Sequence, residues 1–187
     1  MKVLPLLVVA LLAGCASVAK VETGKRTVGE RLVLTLDGAW NHVNAPGLGP
    51  AQVWTMEGMP IDRMLIFSGV KDGEPVHESR GATPRRFVFQ ARMQPDEIVS
   101  MFEGAIMSEG SSFKLLKMEP TIFGTKGFRF EYATTRQYDH VQLLGVGYAT
   151  VDKGELFALL YFAPRIEFYP RYRPRVDGIA QSAKLKN

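Results

Sequence analysis

The chain has 187 residues, of which 46% are hydrophobic and 22% charged, with a formal net charge of +4 and a single cysteine. These values describe one globular domain with a sizeable core and exclude a disordered chain and an internal disulfide framework. The positive balance is too mild to point to nucleic acid.

At the N-terminus Lys2 is the only charge before an apolar run over residues 3–13, and small residues follow at Ala13 and Gly14. This is the three-part pattern of a secretory signal, and it is shorter than the roughly 20 apolar residues needed to span a bilayer. The segment Leu11-Leu12-Ala13-Gly14-Cys15 resembles the lipobox of bacterial lipoproteins. That resemblance implies diacylglycerylation of Cys15, cleavage before it and an anchor of palmitate-type chains. It also accounts for a lone thiol in an exported chain. Such lipoproteins are typically held in the inner membrane by an Asp after the cysteine, and Ala16 stands here. The resemblance therefore implies the outer membrane, periplasmic face, or the outer face of the membrane where there is only one. Residues 1–14 are read as signal peptide, 15–30 as lipidated N-terminus and flexible tether, and 31–187 as the domain. A tether of that length has a root-mean-square reach of roughly 20 Å.

Folded structure is expected from residue 31, where Leu32, Leu34 and Leu36 alternate with Val33 and Thr35 before an Asp37-Gly38 turn. Trp40 opens a second short strand, and residues 52–56 and 63–70 give two more around a turn at 57–60. Residues 71–86 carry Pro75, Gly81 and Pro84 and are expected as a long surface loop. Phe87 and Phe89 mark a short strand. Pro95, Asp96 and Glu97 then start a helix that places Ile98, Met101, Phe102, Ala105 and Ile106 on one face and stops at Gly110.

A strand is expected over residues 113–118, ending before Pro120. Phe128, Phe130 and Tyr132 line one face of the next strand, with Arg129, Glu131 and Ala133 on the other. Residues 141–151 and 155–163 form a hairpin around Asp152-Lys153-Gly154, and the apolar run 156–162 reads as a central strand covered on both faces. Tyr169, Tyr172, Val176, Ile179 and Ala183 keep helical spacing, with a bend or interruption expected at Pro170 or Pro174.

The fold class is therefore α+β: a largely antiparallel sheet of about six or seven strands with a mid-chain helix and a C-terminal helix packed on it. The order of these elements, from Trp40 and the 63–70 strand through the 95–110 helix to the closing helix after Ala163-Pro164-Arg165, resembles the Mog1/PsbP-like fold. The segments Phe128-Arg129-Phe130-Glu131-Tyr132 and Tyr161-Phe162-Ala163-Pro164-Arg165 also resemble those of small proteobacterial lipoproteins. What the fold resemblance implies is a non-enzymatic binding or accessory module without a cofactor.

A search for catalytic patterns points the same way. His42, His77 and His140 are scattered, Asp139 and His140 are adjacent where strand neighbours face apart, and Ser68, Ser79, Ser111 and Ser112 lack an activating motif. Gly145-x-Gly147 lacks the context of a nucleotide loop and reads as a close backbone approach, while Gly124 and Gly127 bound a turn. The candidate partner-binding residues are Arg165, Arg171, Arg173, Arg175 and Tyr172, because arginine and tyrosine are enriched where interfaces carry their energy. Arg80, Arg85 and Arg86 of the 71–86 loop would extend the same patch. The expected partners are the membrane, through the lipid, and an envelope protein or component. An envelope hydrolase or small-ligand carrier built from His42, His77, Asp139 and His140 stays open as the alternative, as does a purely structural lipoprotein.

Overall fold

A computed structural model describes residues 17–44, 49–80 and 83–187. Among these residues thirteen strands and two helices follow in chain order: β1 (Ser17–Val21), β2 (Gly24–Val28), β3 (Leu32–Leu36), β4 (Trp40–Asn44), β5 (Gln52–Thr55), β6 (Arg63–Val70), β7 (Pro75–Glu78), β8 (Arg86–Val88), α1 (Pro95–Ser108), β9 (Lys114–Phe123), β10 (Thr125–Thr135), β11 (Gln142–Asp152), β12 (Glu155–Pro164), α2 (Phe168–Gln181) and β13 (Lys184–Leu185). The main sheet has eight strands in the order β1-β4-β5-β6-β12-β11-β10-β9, a larger sheet than the sequence suggests. A three-stranded sheet, β13-β3-β2, and the pair β7-β8 accompany it.

Both faces of the main sheet are apolar at its centre, so both are covered. Leu156 to Tyr161 of β12 are buried without a break. On one face Phe157, Leu159 and Tyr161 join Trp40, Trp54, Val176 and Ile179 under α2, together with Leu32, Leu34 and Leu36 of the small sheet. On the other, Leu160 and Ala158 join Phe67, Phe130 and Tyr132 beneath Ile98 and Phe102 of α1, with Val76 of β7 and Phe89 closing the cluster.

Local chemistry sets the element ends. Pro95 occupies the first turn of α1, and Glu97 accepts a hydrogen bond from the Gln94 backbone N–H at 2.7 Å. Lys153 and Gly154 both have positive φ, 52° and 78°, as a two-residue hairpin of the primed type requires. α2 runs through both of its prolines. Pro170 lies in the first turn, where backbone N–H groups have no intrahelical acceptor, and Pro174 is carried inside the helix by the buried Tyr169, Val176 and Ile179 on either side of it.

Three segments differ from the sequence reading. The expected tether is folded: Ser17 to Val21 pair with Asn44 to Trp40, and Gly24 to Val28 pair with Leu36 to Leu32. β1 is almost wholly exposed, so backbone pairing with β4 holds it and no apolar alternation announces it. The 71–86 segment is not one open loop, because β7 pairs with β8 and Val76 enters the core. β9 continues through Pro120 to Phe123; as the outermost strand it has a free side on which a missing N–H is tolerated.

The Gly145 and Gly147 pattern has a packing cause. In the β10–β11 register Tyr132 lies opposite Gly145 and Phe130 opposite Gly147, and a Cβ at either glycine would run into the ring across from it. The two aromatic rings lie over the glycine backbone and fill the α1 face. Gly145→Ala and Gly147→Ala should each destabilise the domain by about 1–3 kcal/mol through overpacking. Gly178→Ala, on α2 where an added Cβ meets nothing within 4 Å, should stabilise it by about 0.5–1 kcal/mol. Urea denaturation of the three variants tests the sign of each.

Candidate functional site

α2 carries three of the candidate arginines, and each faces a carboxylate of this chain. Arg171 donates to Glu167 at 2.6 Å and lies 3.6 Å from Glu57, which accepts a hydrogen bond from the Tyr172 hydroxyl. Glu57 is held in position from below. The fully buried Asp62 carboxylate accepts from Thr55 Oγ1 at 2.6 Å and from the Met56 and Glu57 backbone N–H groups at 3.0 and 2.8 Å. Arg175 pairs with Asp37 at 3.0 Å and its guanidinium covers the Trp40 ring, 5.7 Å from its centroid.

Arg173 belongs to a closed ring of polar groups between α2 and the sheet. It donates to Glu131 at 2.8 Å, and its Nε lies 3.3 Å from Asp177. Asp177 accepts from the Tyr148 hydroxyl at 2.6 Å, and the Tyr148 oxygen accepts from Arg129 at 3.2 Å. Arg129 closes the ring onto Glu131 and reaches Glu119 at 2.9 Å. Arg129 is only 8% exposed. Burial alone would lower its pKa, but hydrogen bonds with Glu131 and Tyr148 more than offset this and raise it. Burial likewise pushes the Glu131 carboxyl up; the hydrogen bond and charge of Arg129, with Arg173 and Lys117 beyond, outweigh it and hold Glu131 below its ordinary range.

The arginines therefore do not form one free basic patch. Arg80, Arg85 and Arg86 do not extend it either, since β7 and β8 lie on the α1 face and α2 lies on the opposite one. Arg85 stacks over Phe87, and Arg86 lies 3.7 Å from Glu78.

The other candidates are dispersed. His42 is on β4, His77 on β7 contacts Glu109 at 3.2 Å, and Asp139 is held by Arg136 at 2.6 Å beside His140 in the turn before β11. Among the described residues no three of His, Cys, Asp and Glu group to hold a metal. Cys15 lies outside the described residues.

Arg165 differs from the other candidate arginines: it is exposed and has no acidic partner among the described residues. It begins the link from β12 to α2, whose geometry sequence reasoning missed. Glu167 has φ 72° and ψ −66°, and the Phe168 N–H donates to the Ile166 carbonyl at 3.0 Å. That is a γ-turn of the strained, positive-φ kind, which costs a non-glycine residue about 1–3 kcal/mol. It thrusts Ile166 outward to 84% exposure. The Arg165 N–H donates to the Gln142 carbonyl at 3.0 Å, which sets this link beside the β10–β11 turn. There Tyr138 is 69% exposed, with the Arg136 guanidinium 4.7 Å from its ring centroid. Arg136 is itself fixed by Asp139 and the Pro60 carbonyl. An apolar residue between Arg165 and Glu167, just before a helix, was the only signal available in the sequence.

No protein-family model matches the chain, and no curated protein matches it. Among solved structures it is similar to the solution structure of cyanobacterial PsbP, CyanoP, from Synechocystis, with a TM-score of 0.59 at 13% identity, covering 93% of this chain and 95% of that one. The fold is thus PsbP-like, an antiparallel sheet with two helices.

Arg129→Met should destabilise the domain by about 2 kcal/mol, because Glu131 and the Tyr148 oxygen lose a donor in a poorly solvated place. Glu131 binds its proton less readily folded than unfolded. Its contribution is therefore complete above its ordinary 4.5 and lost as pH falls through the depressed value. Urea midpoints from pH 7 down to pH 3 should fall less steeply for Glu131→Gln than for the wild type.

Proposed function

We propose that this chain is a lipid-anchored lipoprotein of the bacterial envelope, acylated at Cys15 on the periplasmic face of the outer membrane. Its PsbP-like domain serves as a non-enzymatic binding module for an envelope protein or component. The observation that carries this reading is the position of β1. It is an edge strand of the main sheet, paired with β4, and begins two residues after Cys15. The Cα atoms of Cys15 and Ser17 are at most about 7 Å apart. The acyl chains would therefore hold one sheet edge against the bilayer instead of letting the domain swing on a long tether. No helix among the described residues is long and apolar enough to cross a membrane.

Two or three acyl chains bind almost irreversibly, at roughly 0.8 kcal/mol for each buried CH₂. Cys15→Ser should abolish labelling by radioactive palmitate, leave residues 1–14 attached and reduce the amount of protein resisting a carbonate wash of membranes. Wild-type membrane retention of the unlabelled variant would contradict the anchor.

A further inference from the structure

We propose that the corner formed by Tyr138, Arg165 and Ile166 is the docking point for a partner protein that offers an apolar socket edged by carboxylates. This rests on the reading of the domain as a binding module, and the choice of a protein over the bilayer rests on the proposed anchor at Cys15.

Three observations converge on the corner. Ile166 is the most exposed large apolar side chain among the described residues, and strained backbone at Glu167 displays it. Strain held at a surface turn is retained where the surrounding structure enforces it, and such turns cluster at functional sites. Tyr138 is a second exposed anchor, already ordered by Arg136 and its carboxylate clamp, so little side-chain freedom is lost when it is covered. Tyrosine and arginine are the residue types that dominate binding energy in such positions.

Charge selects the partner. Asp139 is matched by Arg136 and Glu167 by Arg171, which leaves Arg165 as the corner's unmatched ion. Close by, Arg63 is half-buried, feels the opposing charges of Arg136 and Glu109 and donates from Nε to the Met59 carbonyl at 2.8 Å. A surface with carboxylates around an apolar hollow complements this arrangement, whereas a basic surface is repelled.

Placement favours a protein over the bilayer. β12 lies four strand spacings from β1, about 19 Å across the sheet. Through the paired register Ser17 stands level with Leu159, and β1 runs in the same direction as β12, so its Ser17 end points away from the Pro164 end. The corner and the anchored edge are thus well separated.

The test uses the full chain in cells with a photo-crosslinking phenylalanine analogue in place of Tyr138, and, for comparison, in place of Ile122 on β9. The expected result is one discrete protein adduct from position 138, weakened at least about tenfold by Arg165→Glu or Ile166→Ser. Mass spectrometry should locate its attachment within a segment containing Asp or Glu beside apolar residues. Both substituted side chains are exposed, so thermal melting should match the wild type. An adduct at 138 that ignores both substitutions, or one formed only with lipid, overturns the corner as a protein docking point. Adducts from 122 but not 138 also overturn it while leaving the binding-module reading standing. No adduct from either position overturns both.

Discussion

Everything in this fold answers to one constraint: the middle strands of the main sheet are apolar on both faces. β12 has no face it can show to water, and its neighbours β6 and β11 share that condition over much of their length. Two separate covers follow. α2 and the β13-β3-β2 sheet close one side, α1 with β7 and β8 the other. The alternation of β10 divides its residues accordingly, with Phe128, Phe130 and Tyr132 turned to α1 and Arg129 and Glu131 turned to α2.

That division explains the fate of the charges. The α2 side of β10 puts an arginine and a glutamate under a helix, where an unpaired ion is costly, and the helix answers with Arg173 and Asp177. The ring they complete with Tyr148 ties α2 to the sheet. Arg171 and Arg175 pair with Glu57 and Asp37 nearer the surface. A helix rich in arginine thus has its positive charge largely matched from within the chain. Arg165, without an acidic partner among the described residues, stands at the corner before it, next to the two most exposed large apolar residues of that described part.

What the sequence made legible was the part governed by local periodicity. Leu32, Leu34 and Leu36, the apolar run of β12, the Lys153-Gly154 turn and the Pro95 start of α1 each show their structure within a few residues. What stayed hidden depends on partners far away in the chain. β1 and β2 are polar and are held by backbone pairing with β4 and β3. β9 passes through a proline because it is outermost, a fact of sheet order alone. Arg175 with Asp37 and Arg173 with Glu131 are separated by 138 and 42 residues, so their pairing could not be read from spacing. The γ-turn at Glu167 is hidden for a different reason: glutamate is a poor candidate for positive φ, and only the geometry shows it there.

If Cys15 is acylated as proposed, a first strand that begins two residues after it would hold the domain close to the membrane surface with its far corner turned outward. The central claim is that Cys15 is the lipid-bearing first residue of the mature protein. The most direct measurement is mass spectrometry of the N-terminal peptide of the protein extracted from membranes. The account predicts a peptide that begins at Cys15 and carries diacylglyceryl with or without a further acyl group on its amine. An unmodified Cys15, or a chain that still begins at Met1, would contradict it.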